Sequence, residues 1–301
     1  MITLLRAVLA FCLLALVGLA VAWFVTKPGK LDPEFRAELR SAQADVTAGE
    51  KVFWAAGCAS CHSAPEASGD AKLLLIGGQR FASDFGTFLA PNITPDPDHG
   101  IGSWSLENLA LALKQGVSPG GTHYYPAFPY NSYTHMTAQD VADLKAFLDS
   151  LPADTTANQP HELGFPFNIH RSLGGWKLLF FRDDWVMTDA EGELVRGRYL
   201  VEALGHCGEC HTPRNPLGGL QKSRWLAGAP NPNGEGKIPN ITPAELDWAE
   251  ADIAYYLESG FTPEFDAVGG HMAPVVENFA KLPAEDRAAV AAYLKAIPAA
   301  N

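Results

Sequence analysis

One five-residue pattern limits this chain more than anything else in it, because it occurs twice: Cys58-Ala59-Ser60-Cys61-His62 and, 149 positions later, Cys207-Gly208-Glu209-Cys210-His211. The chain has 301 residues, 5 cysteines and 9 histidines. For such a composition chance supplies about 0.0025 matches to Cys-x-x-Cys-His. Two residues between the thiols let both reach the vinyl groups of one haem through thioether bonds, and the adjacent imidazole is then held beneath the iron. The expectation is two covalently bound haem c groups, attached at Cys58 and Cys61 and at Cys207 and Cys210, with His62 and His211 as iron ligands. A redox-active dithiol needs no following His, and a structural zinc site brings its cysteine pairs far closer in sequence.

The repeat extends beyond the motif. Asn92-Ile93-Thr94-Pro95 returns as Asn240-Ile241-Thr242-Pro243, and Trp104 answers Trp248. The next shared glycines are Gly116 and Gly260, and an equal step further reaches Phe128 in one half and Met272 in the other. The chain reads as an internal duplication. Thr47-Ala48-Gly49-Glu50 has the form of a capping box opening a helix towards Cys58, and Gly197–Leu204 occupies the equivalent place. Ser105 caps a helix bearing Leu106, Leu109, Ala110 and Leu113, and Thr137 caps one bearing Val141, Leu144 and Leu148. Gly116 and Leu151-Pro152 stop them. A closing helix starts at Pro283 as first helical residue and turns Ala289, Val290, Tyr293 and Ile297 inward. No convincing alternating strands stand between these helices. The fold class is therefore mainly α: two tandem class I cytochrome c-like domains, 42–151 and 193–301, after an N-terminal membrane helix within residues 1–30. Residues 152–192 are too rich in Phe, Trp and Pro for a flexible linker. They are expected to pack between the halves, with contact to a membrane or partner as the alternative.

A small cytochrome domain offers its iron a Met from the far side, shortly before the closing helix. Met272, in Gly269-Gly270-His271-Met272, fits that role, with His271 a lesser substitute. Phe128 has no lone pair, so the first half needs another sixth ligand or an open iron. Met136, His123 and His135 are the nearby candidates.

Ala7–Val25 is an uncharged run of 19 residues, which at about 1.5 Å per residue just spans a hydrocarbon layer of roughly 30 Å. Ala20-Val21-Ala22 offers a signal-peptide cleavage site, but Trp23, Phe24 and Val25 continue the apolar run past it. The expectation is a retained anchor, with Cys12 a buried small hydrophobe inside it. Basic residues flank the run on both sides, so charge does not set its orientation. Lys and Arg total 22 against 34 Asp and Glu, a formal charge of −12, which argues against a nucleic-acid partner and suits either a basic redox partner or plain solubility.

Further stretches carry a resemblance. Phe85-Gly86-Thr87-Phe88, Ala90-Pro91-Asn92-Ile93-Thr94-Pro95-Asp96, Gly100-Ile101-Gly102-Ser103-Trp104-Ser105, Tyr125-Pro126-Ala127-Phe128-Pro129-Tyr130, Cys210-His211-Thr212-Pro213-Arg214-Asn215 and Leu226-Ala227-Gly228 resemble the cytochrome c subunits of membrane-bound alcohol and gluconate dehydrogenases. The match covers about residues 45–150 and 195–297. Those subunits carry three haem motifs where this chain has two, and Phe128 stands where their Pro-Ala-Met-Pro-Tyr segment supplies an axial Met. What the resemblance implies is haem attachment outside the bacterial cytoplasmic membrane, with the haem domains facing the periplasm. It also implies electron transfer between a dehydrogenase or quinol-oxidising donor and a respiratory acceptor, with redox proteins as partners and no catalytic side chain. The competing expectation is a haem enzyme that reduces peroxide or oxidises a small sulfur compound at an open first haem.

Overall fold

The computed structural model describes residues 2–231 and 236–300. Met1 and Asn301, the outer limits of the expected segments, lie outside that range. An apolar helix, α1 (Ile2–Val25), leads into α2 (Pro33–Ser41), α3 (Val46–Ala55) and the short α4 (Cys58–His62). A hairpin of β1 (Arg80–Ser83) and β2 (Gly86–Leu89) follows, then α5 (Leu106–Gln115), α6 (Tyr130–Tyr133) and α7 (Ala138–Ser150). The middle segment contributes β3 (Glu162–Leu163) and α8 (Ser172–Phe180). The second half has α9 (Glu193–Arg198), a wider π-helical continuation over Tyr199–Leu204, and α10 (Gly208–His211). It closes with β4 (Ala229–Pro230), β5 (Lys237–Ile238), α11 (Glu250–Ser259), α12 (Met272–Phe279) and α13 (Ala284–Ala296). The fold is mainly α.

Each half is organised by one helix crossing. In the first, α3 packs on α7; in the second, α9 packs on α13. Both crossings are closed by a glycine. A Cβ on Gly49 would overlap the Asp143 carbonyl, and one on Gly197 would overlap the Ala289 carbonyl and stand 2.8 Å from Tyr293 Cβ. Around them Phe53, Val141 and Leu144 are buried in one half and Leu200, Val290 and Tyr293 in the other, all within one continuous apolar cluster. Burying a side chain of this size contributes roughly 1.5–3 kcal/mol.

Several local expectations are corrected. The cap of α3 is Asp45, whose carboxylate accepts the amides of Thr47 and Ala48. A carboxylate two residues earlier outcompetes the Thr47 hydroxyl, and Glu50 instead accepts the Trp54 indole N–H at 3.2 Å. Pro283 is the N-cap of α13, one residue outside the helix. Ser105 and Thr137 cap α5 and α7, and Gly116 ends α5 in the left-handed region at φ 57°. Strands do exist: β1, β2 and β3 form an antiparallel sheet, and β4 pairs with β5. At two to four residues they are too short to show alternation in sequence. Cys12 is exposed on α1, as is every residue of that helix.

The middle segment both packs and protrudes. Trp176 donates to the Leu217 carbonyl at 2.8 Å, Phe181 meets Tyr130 edge to face, and the backbone amides of Val186 and Met187 donate to the buried Glu202 carboxylate at 2.6 and 3.0 Å. Phe165, Phe167, Ile169, Leu178 and Leu179 are exposed.

Candidate functional site: two Cys-x-x-Cys-His turns

The helix before each motif ends just short of its first cysteine. Gly57, at φ 65°, turns the chain out of α3 and starts α4, so Cys58, Cys61 and His62 share little more than one helical turn. In the second half His206 takes that left-handed position, at φ 39°, before Cys207. Burial pushes the thiols of Cys58 and Cys207 up to about 12 and that of Cys61 up to about 11, so all three stay protonated at neutral pH.

His62 Nδ1 lies 2.8 Å from the Pro91 carbonyl oxygen, and His211 Nδ1 lies 2.8 Å from that of Pro239. A carbonyl only accepts, so Nδ1 carries the proton and Nε2 keeps its lone pair. Burial lowers both imidazole pKa values, opposed by the Pro hydrogen bond, which leaves neutral rings able to bind a metal.

The repeated Pro-Asn-Ile-Thr sequence explains how those carbonyls are aimed. Asn92 Nδ2 donates to the Asp154 and Thr156 carbonyls at 2.9 Å each, while its Oδ1 accepts the Thr94 amide at 2.8 Å. Asn240 Nδ2 donates to the Ala300 carbonyl at 2.7 Å and its Oδ1 accepts the Thr242 amide at 2.9 Å. In both halves the Thr hydroxyl accepts an amide from the segment that follows the closing helix, at Asp154 (3.2 Å) and Ala300 (3.1 Å). A second pair of backbone bonds closes each loop: the amides of Gly77 and Gly228 reach the carbonyls of His62 and His211 at 2.7 and 2.8 Å. These glycines sit at φ 73° and 81°, where a side chain would be strained.

Met272 opens α12 and is partly buried against the core. Its counterpart Phe128 is also partly buried, with Tyr124, Tyr130 and Tyr133 around it at ring-centroid distances of 5.9, 6.5 and 5.8 Å. Of the three other candidates, His123 holds the Thr26 carbonyl through Nε2 at 3.0 Å. His135 stacks on Trp185 at 3.9 Å and lines a cavity of about 210 Å³ together with Lys222 and Trp225. Met136 is fully buried, and its carbonyl accepts from Lys114 at 3.1 Å.

The two motifs face each other across the molecule. Asn278 Nδ2 donates to Ser60 Oγ at 2.9 Å, Tyr133 meets the His206 ring at 5.7 Å, and Cys61 and Cys210 are close enough for each other's charge to count. Sequence reasoning missed His206, the Pro91 and Pro239 carbonyls, and Trp225. The Trp225 ring fills the space where a Cβ on Gly208 would stand, and its indole N–H donates to Tyr293 Oη at 3.1 Å. The repeated Pro-Asn-Ile-Thr was the one available signal for the carbonyls; nothing marked the other two.

Haem c fits what these residues offer. Each half presents two protonated thiols on one turn and an adjacent neutral imidazole whose Nε2 is free of any described protein partner. Among the described residues no group of three or more His, Cys, Asp or Glu converges into a metal-binding cage.

The family model for Cytochrome c matches residues 46–152. The chain is 59% identical over 295 residues to the protein named Diheme cytochrome c-type from Cereibacter sphaeroides, covering 98% of this chain and 99% of that one. It is 36% identical to the Fructose dehydrogenase cytochrome subunit of Gluconobacter japonicus, over 84% of this chain and 53% of the subunit. It is 32% identical to the Alcohol dehydrogenase (quinone), cytochrome c subunit of Gluconobacter oxydans, over 85% of this chain and 55% of the subunit. The chain thus spans nearly the whole of the first relative and about half of the dehydrogenase subunits. On these matches the chain belongs to the diheme c-type cytochromes.

Proposed function

We propose that this protein is a membrane-anchored carrier of single electrons, with one covalently bound haem c in each of the domains 42–151 and 193–301, both facing the periplasm. It would pass electrons from a dehydrogenase or quinol-oxidising donor to a respiratory acceptor. The observation that carries this reading is the twice-built clamp in which a Pro carbonyl fixes the imidazole beside a cysteine pair. Bound haem supplies a reversible one-electron centre at each clamp. Cys58 and Cys61, and Cys207 and Cys210, would hold the porphyrins by thioethers. His62 and His211 would bind iron through Nε2, Met272 would complete the second site, and Met136 the first. His123 is engaged with the anchor and His135 with Trp185, which supports Met136 over either. The facing motifs support transfer between the two centres.

The peroxide or sulfur chemistry of the competing reading needs a base beside an open iron. The phenols around Phe128 are poor candidates: burial pushes Tyr124 up to about 12 and raises Tyr130 and Tyr133 further, so all stay protonated.

The test is full-length protein from a host able to attach haem. The expected mass is that of the chain plus two porphyrins, with two one-electron steps in a redox titration. Met272→Ala is expected to lower one potential and leave the other, because a thioether favours the reduced iron; Met136→Ala is expected to act on the remaining step. A mass without bound porphyrin would end this reading.

A further inference from the structure

Where α1 leaves its apolar run, it does not pass into a loose tether. Arg171 donates to the Trp23 carbonyl and, through Nε at 3.1 Å, to Thr26 Oγ1, and its guanidinium lies 4.3 Å from the Trp23 ring centroid. His123 Nε2 reaches the Thr26 carbonyl at 3.0 Å, and Gly174 approaches the same carbonyl so closely that a Cβ would overlap it. Leu31, a few residues on, is buried. The end of α1 is therefore pinned to the start of α8.

Beside this junction the middle segment turns its apolar side chains outward. Phe165 is 81% exposed, Leu179 61% and Leu178 53%. Leu178 and Leu179 lie within about 10 Å of Gly174 along α8, at 1.5 Å per residue. Phe167 meets Phe85 at 5.1 Å, Phe85 stands over Gly218, and the neighbouring Leu217 is itself exposed. The charge of this face is the reverse of the rest of the chain. Residues 163–182 contain Arg171, Lys177 and Arg182 and no Asp or Glu, in a protein of net charge −12. Lys177 is turned inward onto the Gln115 and Gly116 carbonyls and Arg171 onto the end of α1, which leaves Arg182 exposed among the aromatic and aliphatic groups, a combination that suits the interfacial layer of an anionic bilayer.

We propose that residues 164–182 are a second membrane contact, lying in the headgroup layer beside the exit of α1. This rests on α1 being the anchor. The occupant is lipid because α1 carries 24 residues with none buried, with a mean hydropathy of 2.8 in its most apolar window, and it ends against this face. A bilayer holding α1 passes next to Phe165 and Leu179.

Single nitroxide labels at Leu13→Cys in α1, Leu179→Cys in α8 and Phe265→Cys in the second half test this, in a Cys12→Ser background. Phe265 is 84% exposed and serves as the aqueous reference. The full haem-loaded chain goes into nanodiscs of phosphatidylcholine and phosphatidylglycerol, and the accessibility of each label to oxygen and to a neutral nickel chelate is read. The expected result is an oxygen-to-nickel ratio several-fold above the Phe265 label at both positions 13 and 179. A position-179 label that matches position 265 while position 13 stays in lipid overturns the second contact and leaves the anchor standing. A position-13 label in water overturns the anchor and this proposal together. A position-179 label shielded from both reagents indicates protein against the face, and also overturns it.

Discussion

At the scale of single residues, the imidazole clamp depends on an asparagine that touches neither ring. Asn240 holds the Ala300 carbonyl and the Thr242 amide, and so fixes where the Pro239 carbonyl points. Asn240→Ala leaves the buried Thr242 amide without its partner, at about 1–3 kcal/mol, while the Ala300 carbonyl keeps the Thr242 hydroxyl at 3.3 Å. It would also loosen the Pro239 bond that orients the ring of His211, the proposed iron ligand, and so weaken it as a donor. A lower melting temperature together with a raised potential at one haem is expected, by calorimetry and redox titration; a fall in stability with both potentials unmoved would limit Asn240 to a structural role. The cysteines and histidines were legible because they recur at a spacing of 149 positions, and this asparagine because it recurs at 148. His206 was not, since its first-half counterpart is Gly57 and the two positions share a backbone conformation instead of a side chain. The ligand set of the first half was legible only down to its anomaly, Phe128, because a missing Met says nothing of which distant side chain replaces it.

At the scale of elements, each half stands on one close helix crossing. Gly49→Ala forces α3 off α7, and Gly197→Ala forces α9 off α13, because the obstructing atoms are backbone carbonyls that cannot swing aside. Overpacking of this kind costs about 1–3 kcal/mol, and equal losses from the two variants in thermal unfolding are expected. A substitution tolerated at either site would mean that its crossing is looser than drawn. The caps at Ser105 and Thr137 could be read from sequence because a hydroxyl three residues before a free amide satisfies it locally. The α3 cap was misplaced because two competing acceptors, Asp45 and Thr47, lie within the same turn. Gly197–Leu204 was readable as helical, but its π winding was not. That widening accompanies the inward placement of Glu202, which accepts from Val186, Met187 and the Tyr293 hydroxyl, partners from two remote parts of the chain. The strands were missed because two to four residues fixed by partner strands carry almost no pattern of their own.

At the scale of the whole molecule, the charge is sorted. Residues 238–280 hold eight Asp and Glu and no Lys or Arg, while 163–182 hold three cations and no acid. Glu258 pairs with Arg287 and Glu277 with Lys72, but most of the others extend the field of the second half into solvent. Electron exchange with a basic soluble redox protein is expected to slow steeply as ionic strength rises, with most of the effect at low salt. Stopped-flow mixing at graded salt measures this, and a rate indifferent to salt would show that the acidic half is not the encounter surface. Total charge was readable from composition, and its sorting from these two windows of the sequence.

The junction of Trp23 and Thr26 with Arg171 and His123 has a dynamic consequence. A domain hung from a slack leash samples every attitude, and a visitor can meet it from any side. Welded at its stalk, this protein would keep one attitude, leaving drift within the sheet of lipid and spin about the normal as its remaining freedoms. Successful collisions then depend on whether a visitor's redox edge rides at the same altitude, so the stalk joint would help to choose the company the cytochrome keeps.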